Sequence, residues 1–496
     1  NLNLGSISRF QDEVGAVHYE LILNGLSEEL VPEADGITFH TKSESYVKIR
    51  RNGSQWDAWT KDGTYYRFGS KPDTDTSDGF DNGDGTHRGV DGSRHFYSYW
   101  SSDGAGNWCY YDEIYRWDVD LIQDTHGNTV SLSYRGVQGR DDTGWYNPGC
   151  GGSHYFDKSS YLREITYSSN DAGGAKRRVV FNIQPKGNPN IPWGYVAYET
   201  HQLEDVEVYV NNQRVRRYDL AHGYVGFDQR LLSIREDGST SGAAFDVSLP
   251  TMYFDYVDKT VVVTYKDGEG NCWGAAPSYT HSRIQRIRNG YGGSVEYVYT
   301  LQGSFSSEGA CRERFAVTSR TVADGLDPSS TGTWTYSYAG GKFDDDGSDG
   351  HVGREFRGYG VVNTADPVGN LTVSRFHQDD YFKGRLWQEE RYEGSTKLLA
   401  KTVDTWQAAG SFASLGWPFI YLAERNADDY DSTGGNPRHK KTTYSYDGYG
   451  NLENIYEWGD QTSNWYRRTQ RLHMANPTNW IVDKLSIEAV FDASMQ

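Results

Sequence analysis

Trp117-Asp118-Val119-Asp120-Leu121-Ile122-Gln123, then Asp124-Thr125-His126-Gly127-Asn128, then Thr129-Val130-Ser131-Leu132-Ser133-Tyr134 is the stretch on which the fold is read. Trp117, Val119 and Leu121 alternate with polar residues, and Val130, Leu132 and Tyr134 do the same on the return. A period of two is a strand with one buried face. Between the runs, Gly127 and Asn128 tolerate the left-handed backbone of a tight turn. The segment therefore predicts an antiparallel hairpin.

The pattern recurs along the chain. Val206, Val208 and Val210 run into Asn211-Asn212 and return through Val215, as a two-residue hairpin loop requires. Ile284 and Ile287 precede Asn289-Gly290, and Val295, Tyr297 and Tyr299 follow. Tyr161, Ile165 and Tyr167 stand before Val179, Phe181 and Ile183, and Trp334, Tyr336 and Tyr338 form one more aromatic face. A lone hairpin cannot bury such a face, so neighbouring hairpins must cover it. The expected fold is all-β, a curved antiparallel sheet of stacked β-hairpins. A sandwich or propeller is the alternative, against which the irregular spacing of the turns argues. Four stretches are distinguished: 1–140, with an Asp/Gly-rich loop; 141–280, of hairpins; 281–370; and 371–496.

Composition agrees. Among 496 residues there are 38 Tyr, 15 Trp, 19 Phe and 56 Gly but 3 Met, as in a sheet protein with many tight turns. A net charge of −19 argues against nucleic acid as a partner, since phosphates demand a basic surface. The longest nearly apolar run, Leu415 to Ala423, contains Gly416 and Pro418 and falls far short of the ~20 residues of a membrane-spanning helix. The start at Asn1, without Met or a signal segment, reads as a mature fragment or an excised piece, with strand edges left open near Asn1 and Gln496.

Thr443-Tyr444-Ser445-Tyr446-Asp447-Gly448-Tyr449-Gly450-Asn451-Leu452 puts two tyrosines on one strand face before a Gly-Asn turn, with Tyr456 and Trp458 on the return. It resembles the YD repeat of the Rhs/YD-repeat family, which includes the B component of bacterial Tc toxin complexes and, more distantly, teneurins. Upstream, Trp59 to Gly69, Ile287 to Gly292, Gly353 to Gly360 and Tyr381 to Leu386 resemble the regions that precede the repeats. The resemblance implies a hollow, spirally wound β-shell that encloses a polypeptide, often a toxin domain. Thr125-His126-Gly127-Asn128 and Pro367-Val368-Gly369-Asn370 match the repeat only in part, so the chain would supply the front of a shell. Asp366-Pro367-Val368-Gly369 resembles the site at which the family's shell is autocleaved, but its position before a strand reads as a plain turn.

Catalytic motifs are missing: there is no H-E-x-x-H, G-x-S-x-G or Walker loop, and the 13 histidines include no pair at metal-ligand spacing. The acidic pairs Glu389-Glu390, Asp379-Asp380 and Asp428-Asp429 read as solvated loops or strand ends, with a glycosidase acid/base pair as the alternative. Asp73, Asp75, Asp78, Asp81, Asn82 and Asp84, and the run containing Asp344 and Asp346, offer hard oxygen ligands beside glycines, so calcium is the one cofactor considered. The first run lacks the glycine and glutamate positions of a calcium loop, and a solvated turn is the preferred reading. Cys109, Cys150, Cys272 and Cys311 form no C-x-x-C pair, which argues against zinc. Their order offers Cys109–Cys150 and Cys272–Cys311 as local disulfides among three connectivities, suited to an extracellular protein, against four unpaired buried thiols.

The expectation is a non-enzymatic structural β-shell segment of a secreted or surface protein. Its partners would be the rest of its own polypeptide or identical subunits, and enclosed polypeptide cargo. An adhesin or glycan-binding β protein is the alternative, and a glycan-active hydrolase a third.

Overall fold

The structure, a computed structural model, describes every residue except 1–3, 12–15, 71–91, 103–107, 141–154, 169–176, 188–198, 226–227, 267–271, 274–277, 308–309, 328–329, 344–355, 380, 410–417, 461–464 and 493–496. Among the described residues there are 31 β-strands and no α-helix, so no helix is long and apolar enough to cross a membrane. The expected all-β fold of antiparallel hairpins is what the chain forms. It divides into two compact units, one of residues 1–229, 234–249 and 474–484, the other of residues 230–233, 250–473 and 485–496.

The first unit contains a closed ring. Its strands are β1 (Ser6–Gln11), β2 (Val17–Leu23), β3 (Leu26–Pro32), β4 (Thr38–Thr41), β5 (Lys48–Asn52), β6 (Gln55–Trp59) and β7 (Tyr65–Phe68), followed by β8 (Arg94–Ser102) and β9 (Trp108–Gln123). Each of β1 to β6 pairs with the next, β7 pairs with β9, and β9 pairs with β1, which closes eight strands on themselves without β8. An eight-stranded ring leaves an interior that side chains just fill. Ile7, Leu21, Leu23, Leu30, Phe39, Ile49, Trp56, Ala58, Phe68, Trp117 and Val119 fill it. Trp56 and Trp117 meet edge to face at 5.9 Å, and Phe39 lies 4.8 Å from Trp56. The open edge expected near Asn1 is not found at the start of β1 among the described residues, because Ser6 to Ser8 pair with β2 on one side and β9 on the other.

Strand β9 is the branch point. On one edge it pairs first with β7 and then with β8; on the other it pairs with β1 and with the next strand, Thr129–Arg140. The register shifts between Arg67 and Phe68, so that Phe68 faces Val119 and Arg67 faces Leu121. This bulge corrects the simple alternation: Ile122, not Leu121, packs against the core with Trp117 and Val119. The polar face is corrected too. Asp118 and Asp120 are 3% and 1% exposed. Asp118 takes hydrogen bonds from His95 Nε2 at 2.8 Å and Arg116 Nε at 2.7 Å, and Asp120 from Arg67 Nε at 2.8 Å, the Ser70 amide at 2.6 Å and Ser93 Oγ at 2.6 Å. Burial alone would raise the Asp118 carboxyl, but His95 and Arg116 outweigh it and hold the group below the usual carboxylate range.

The other expected hairpins form. Val210 faces Gln213 across Asn211-Asn212, both with positive φ (52° and 63°), the backbone of a two-residue hairpin turn. The valine face there is only half-buried, and Val215 is exposed. Ile287 faces Val295, and Ile165 faces Val179. In Gly332–Phe343, Trp334, Tyr336 and Tyr338 alternate strictly with exposed residues. At the far end of the second unit, Leu485–Asp492 pairs with Arg467–His473 and, among the described residues, with nothing on its other edge. Of the cysteines, Cys109 lies in β9, while Cys272 faces Lys266 and Cys311 faces Thr264 along the strand Met252–Lys266. Cys150 lies outside the described residues.

Candidate functional site

Two small devices repeat along the sheet. The first is a five-residue loop. In Asp124–Asn128, Asp366–Asn370 and Asp447–Asn451, the first amide donates to the fifth carbonyl, and the fourth amide, a glycine's, donates to the first carbonyl, all at 2.9–3.1 Å. The aspartate Oδ1 accepts the third and fifth amides, and Oδ2 accepts the asparagine side-chain amide. Gly127, Gly369 and Gly450 have φ of 81°, 91° and 65°, where a Cβ is strained. This is a three-residue hairpin loop ending in a left-handed glycine. The two loops that matched the repeat only in part by sequence are thus the same object as the third, and Asp366-Pro367-Val368-Gly369 is a plain turn. The spacing of Asp, Gly and Asn was the sequence signal, once the aspartate is counted.

The second device is a fork that the sequence did not announce. The ladder between β9 and Thr129–Arg140 ends at Leu121 facing Ser131, and two residues beyond it the Val119 carbonyl accepts Tyr134 Oη at 2.7 Å. The same offset recurs four times. Arg286 facing Glu296 is followed by Tyr299 Oη on the Ile284 carbonyl at 2.7 Å, and Ser319 facing Thr335 by Tyr338 Oη on Val317 at 2.6 Å. Gln388 facing Val403 is followed by Trp406 Nε1 on Leu386 at 2.8 Å, and Glu424 facing Thr443 by Tyr446 Oη on Leu422 at 3.2 Å. Where two strands part, a carbonyl loses its ladder partner, and an aromatic donor replaces it. At Tyr134, Tyr299, Trp406 and Tyr446 the next strand also pairs with a register shift, a bulge that adds local twist. Tyr446 further packs on Tyr421 at 5.2 Å and Phe419 at 5.7 Å, and it is half-buried.

Elsewhere in the first unit, a cleft of about 420 Å³ opens beside the ring. One row of its lining follows the ladder: Lys48 faces Trp59, Trp59 faces Tyr65, and Tyr65 faces Gln123, across β5, β6, β7 and β9. The opposite wall comes from residues 474–484, a segment anchored by the Val482 amide on the Lys61 carbonyl at 2.8 Å and by Trp480 Nε1 on the Tyr46 carbonyl at 2.9 Å. Trp480 holds a positive φ of 53°. Lys48 Nζ lies 5.4 Å from the ring centres of both Trp59 and Trp480. Nothing in the local sequence pairs position 48 with position 480.

The acidic pairs do not converge. Glu389 and Glu390 are neighbours on one strand and point to opposite faces. Glu389 pairs with Arg391, and Glu390 with Arg375 and Lys401. Asp428 binds His439. Asp379 accepts the amides of Tyr381 and Phe382, and its neighbour Asp380 lies outside the described residues. The calcium candidates Asp73, Asp75, Asp78, Asp84, Asp344 and Asp346 also lie outside them. Among the described residues, no three His, Cys, Asp or Glu side chains gather as a metal site.

No protein-family model and no curated protein matches the sequence. In fold, the chain is similar to solved Tc toxin structures. It superposes on a chain of the TcdB2-TccC3-Cdc42 crystal structure with a TM-score of 0.60 at 10% identity, covering 99% of this chain and 44% of that one. A TcdB2-TccC3-TEV chain gives 0.60 at 11%, again over 99% and 44%. A chain of the Photorhabdus luminescens Tc holotoxin pore gives 0.57 at 10%, over 100% and 44%. The chain thus spans less than half the length of the solved chains it resembles, and what it shares with them is a Tc-toxin-like β-shell fold.

Proposed function

We propose that this chain is a non-catalytic wall segment of a Rhs/YD-type β-shell that encloses or displays another polypeptide, in the manner of a secreted toxin-delivery complex. The observation that carries this is the fold likeness over 99% of the chain. The repeated fork supports it, because it opens ladders at a fixed offset, mostly with a bulge that adds twist, and gives the carbonyl at each parting an aromatic donor. A wall of many weak cross-strand contacts, about 0.2–1 kcal/mol each, needs no preorganised catalytic centre. Its partners would be the remainder of a longer polypeptide or other copies, and a cargo chain. Disulfides among the four cysteines would fit an extracellular setting, and alkylation without reductant followed by mass spectrometry would then find no free thiol.

Protease protection tests the proposal. The chain is expressed with the flanking sequence of its own gene, and proteinase K is added. Enclosed sequence should survive while the shell is folded and be digested once it is denatured. Prompt digestion of all flanking sequence around an intact chain would overturn the enclosing role.

A further inference from the structure

The cleft beside the ring combines aromatic walls, unspent amides and a cation. We propose that it is a binding site for a carboxylate-bearing saccharide. Its volume of about 420 Å³ lies within the range of small-molecule sites, ~300–1,000 Å³. Trp59 and Trp480 supply apolar faces for the C–H side of a sugar ring. Tyr65 sits 5.2 Å from Trp59, and its hydroxyl is fixed on Asp57 Oδ1 at 2.6 Å, so that wall is rigid.

Three polar side chains of the cleft are unspent. Among the described residues, the side chains of Gln123, Thr478 and Asn479 make no hydrogen bond to protein, and amides of this kind match paired sugar hydroxyls. Lys48 has no carboxylate partner there. It is held between two indoles, where its charge still faces the cleft. Asp124 also lines the space and keeps its charge, but its oxygens are held by the amides of its own turn and, among the described residues, it forms no ion pair with Lys48. A neutral sugar would leave that ammonium idle, whereas a sugar carboxylate gives it a charge-assisted partner. The site stands independently of the shell proposal.

Tryptophan fluorescence and saturation-transfer NMR on the full chain test it, with glucuronate, galacturonate and N-acetylneuraminate against glucose, galactose and N-acetylglucosamine. The acidic sugars should bind at least about tenfold more tightly than the neutral ones, the difference expected of a charge-assisted hydrogen bond. Lys48→Gln should weaken the acidic sugars about 10–100-fold. Asn479→Ala should weaken them several-fold at an unchanged melting temperature. Absence of binding, equal binding of neutral sugars, or full affinity in Lys48→Gln would overturn the proposal. Should Lys48→Gln melt early, unchanged affinity in both Asn479→Ala and Gln123→Ala would overturn it as well.

Discussion

Tyrosine hydroxyls carry a structural task here that aromatic bulk alone does not. Tyr134 is buried and donates to the Val119 carbonyl, so Tyr134→Phe leaves that carbonyl unpaired and should cost about 1–3 kcal/mol. Tyr446→Phe, at a half-buried fork with a longer bond, should cost about 0.5–1.5 kcal/mol, and Tyr297→Phe serves as the control outside a fork. Urea unfolding checks all three, and equal effects at 134 and 297 would contradict the fork's role. His40 makes a second residue-level case. The carboxylates of Glu44 and Glu33 flank its imidazole, and, against a lowering by burial, they raise it above its ordinary value. A raised folded value means that the contribution of this pairing is complete below the unfolded value, near 6.5, and is lost as pH rises through the folded one. The difference in melting temperature between the parent and His40→Gln should therefore be larger at pH 6 than at pH 8.

At the scale of the element, the hairpin loops are interchangeable parts. Asp447 satisfies two amides and a side-chain amide, so Asp447→Ala should destabilise its hairpin by about 1–2 kcal/mol. Gly450→Ala forces a Cβ into the left-handed region and should cost a similar ~1–2 kcal/mol. Replacing 447–451 by the Asp124–Asn128 pentapeptide should be nearly neutral, because both hold the same hydrogen bonds. A large loss in that exchange, read by denaturant titration, would show that the surroundings and not the loop decide the turn.

Across the whole molecule, burial is uneven. The contiguous hydrophobic core lies in the first unit, whereas Phe343 and Val373 are the buried apolar residues described in the second. Amide hydrogen exchange should therefore be slowest in the ring, around Trp56, Phe68 and Trp117, and faster in the hairpin of Arg438–Tyr446 and Leu452–Trp458. Equal protection throughout would mean that the ladders, not the ring's core, set the stability.

The hairpins, their turns and the all-β class were legible in the sequence because alternation and turn chemistry are local: a strand's period and a glycine's left-handed φ are written within ten residues of one another. The full Asp-x-x-Gly-Asn loop was equally local, and only its aspartate had to be counted. What the tertiary structure decided depends on register between distant strands. The closure of β1 on β9 sealed an edge that the sequence left open, and the bulge opposite Arg67 exchanged Leu121 for Ile122 in the core. Asp118 and Asp120 became buried because His95, Arg116, Arg67, Ser70 and Ser93 supply their hydrogen bonds. The cleft joins Lys48 to Trp480, residues that meet only once the chain returns to the ring. Alternation states which residues seek burial, but a one-residue shift in pairing turns a side chain to the other face, and that shift is set by partners far away in the chain.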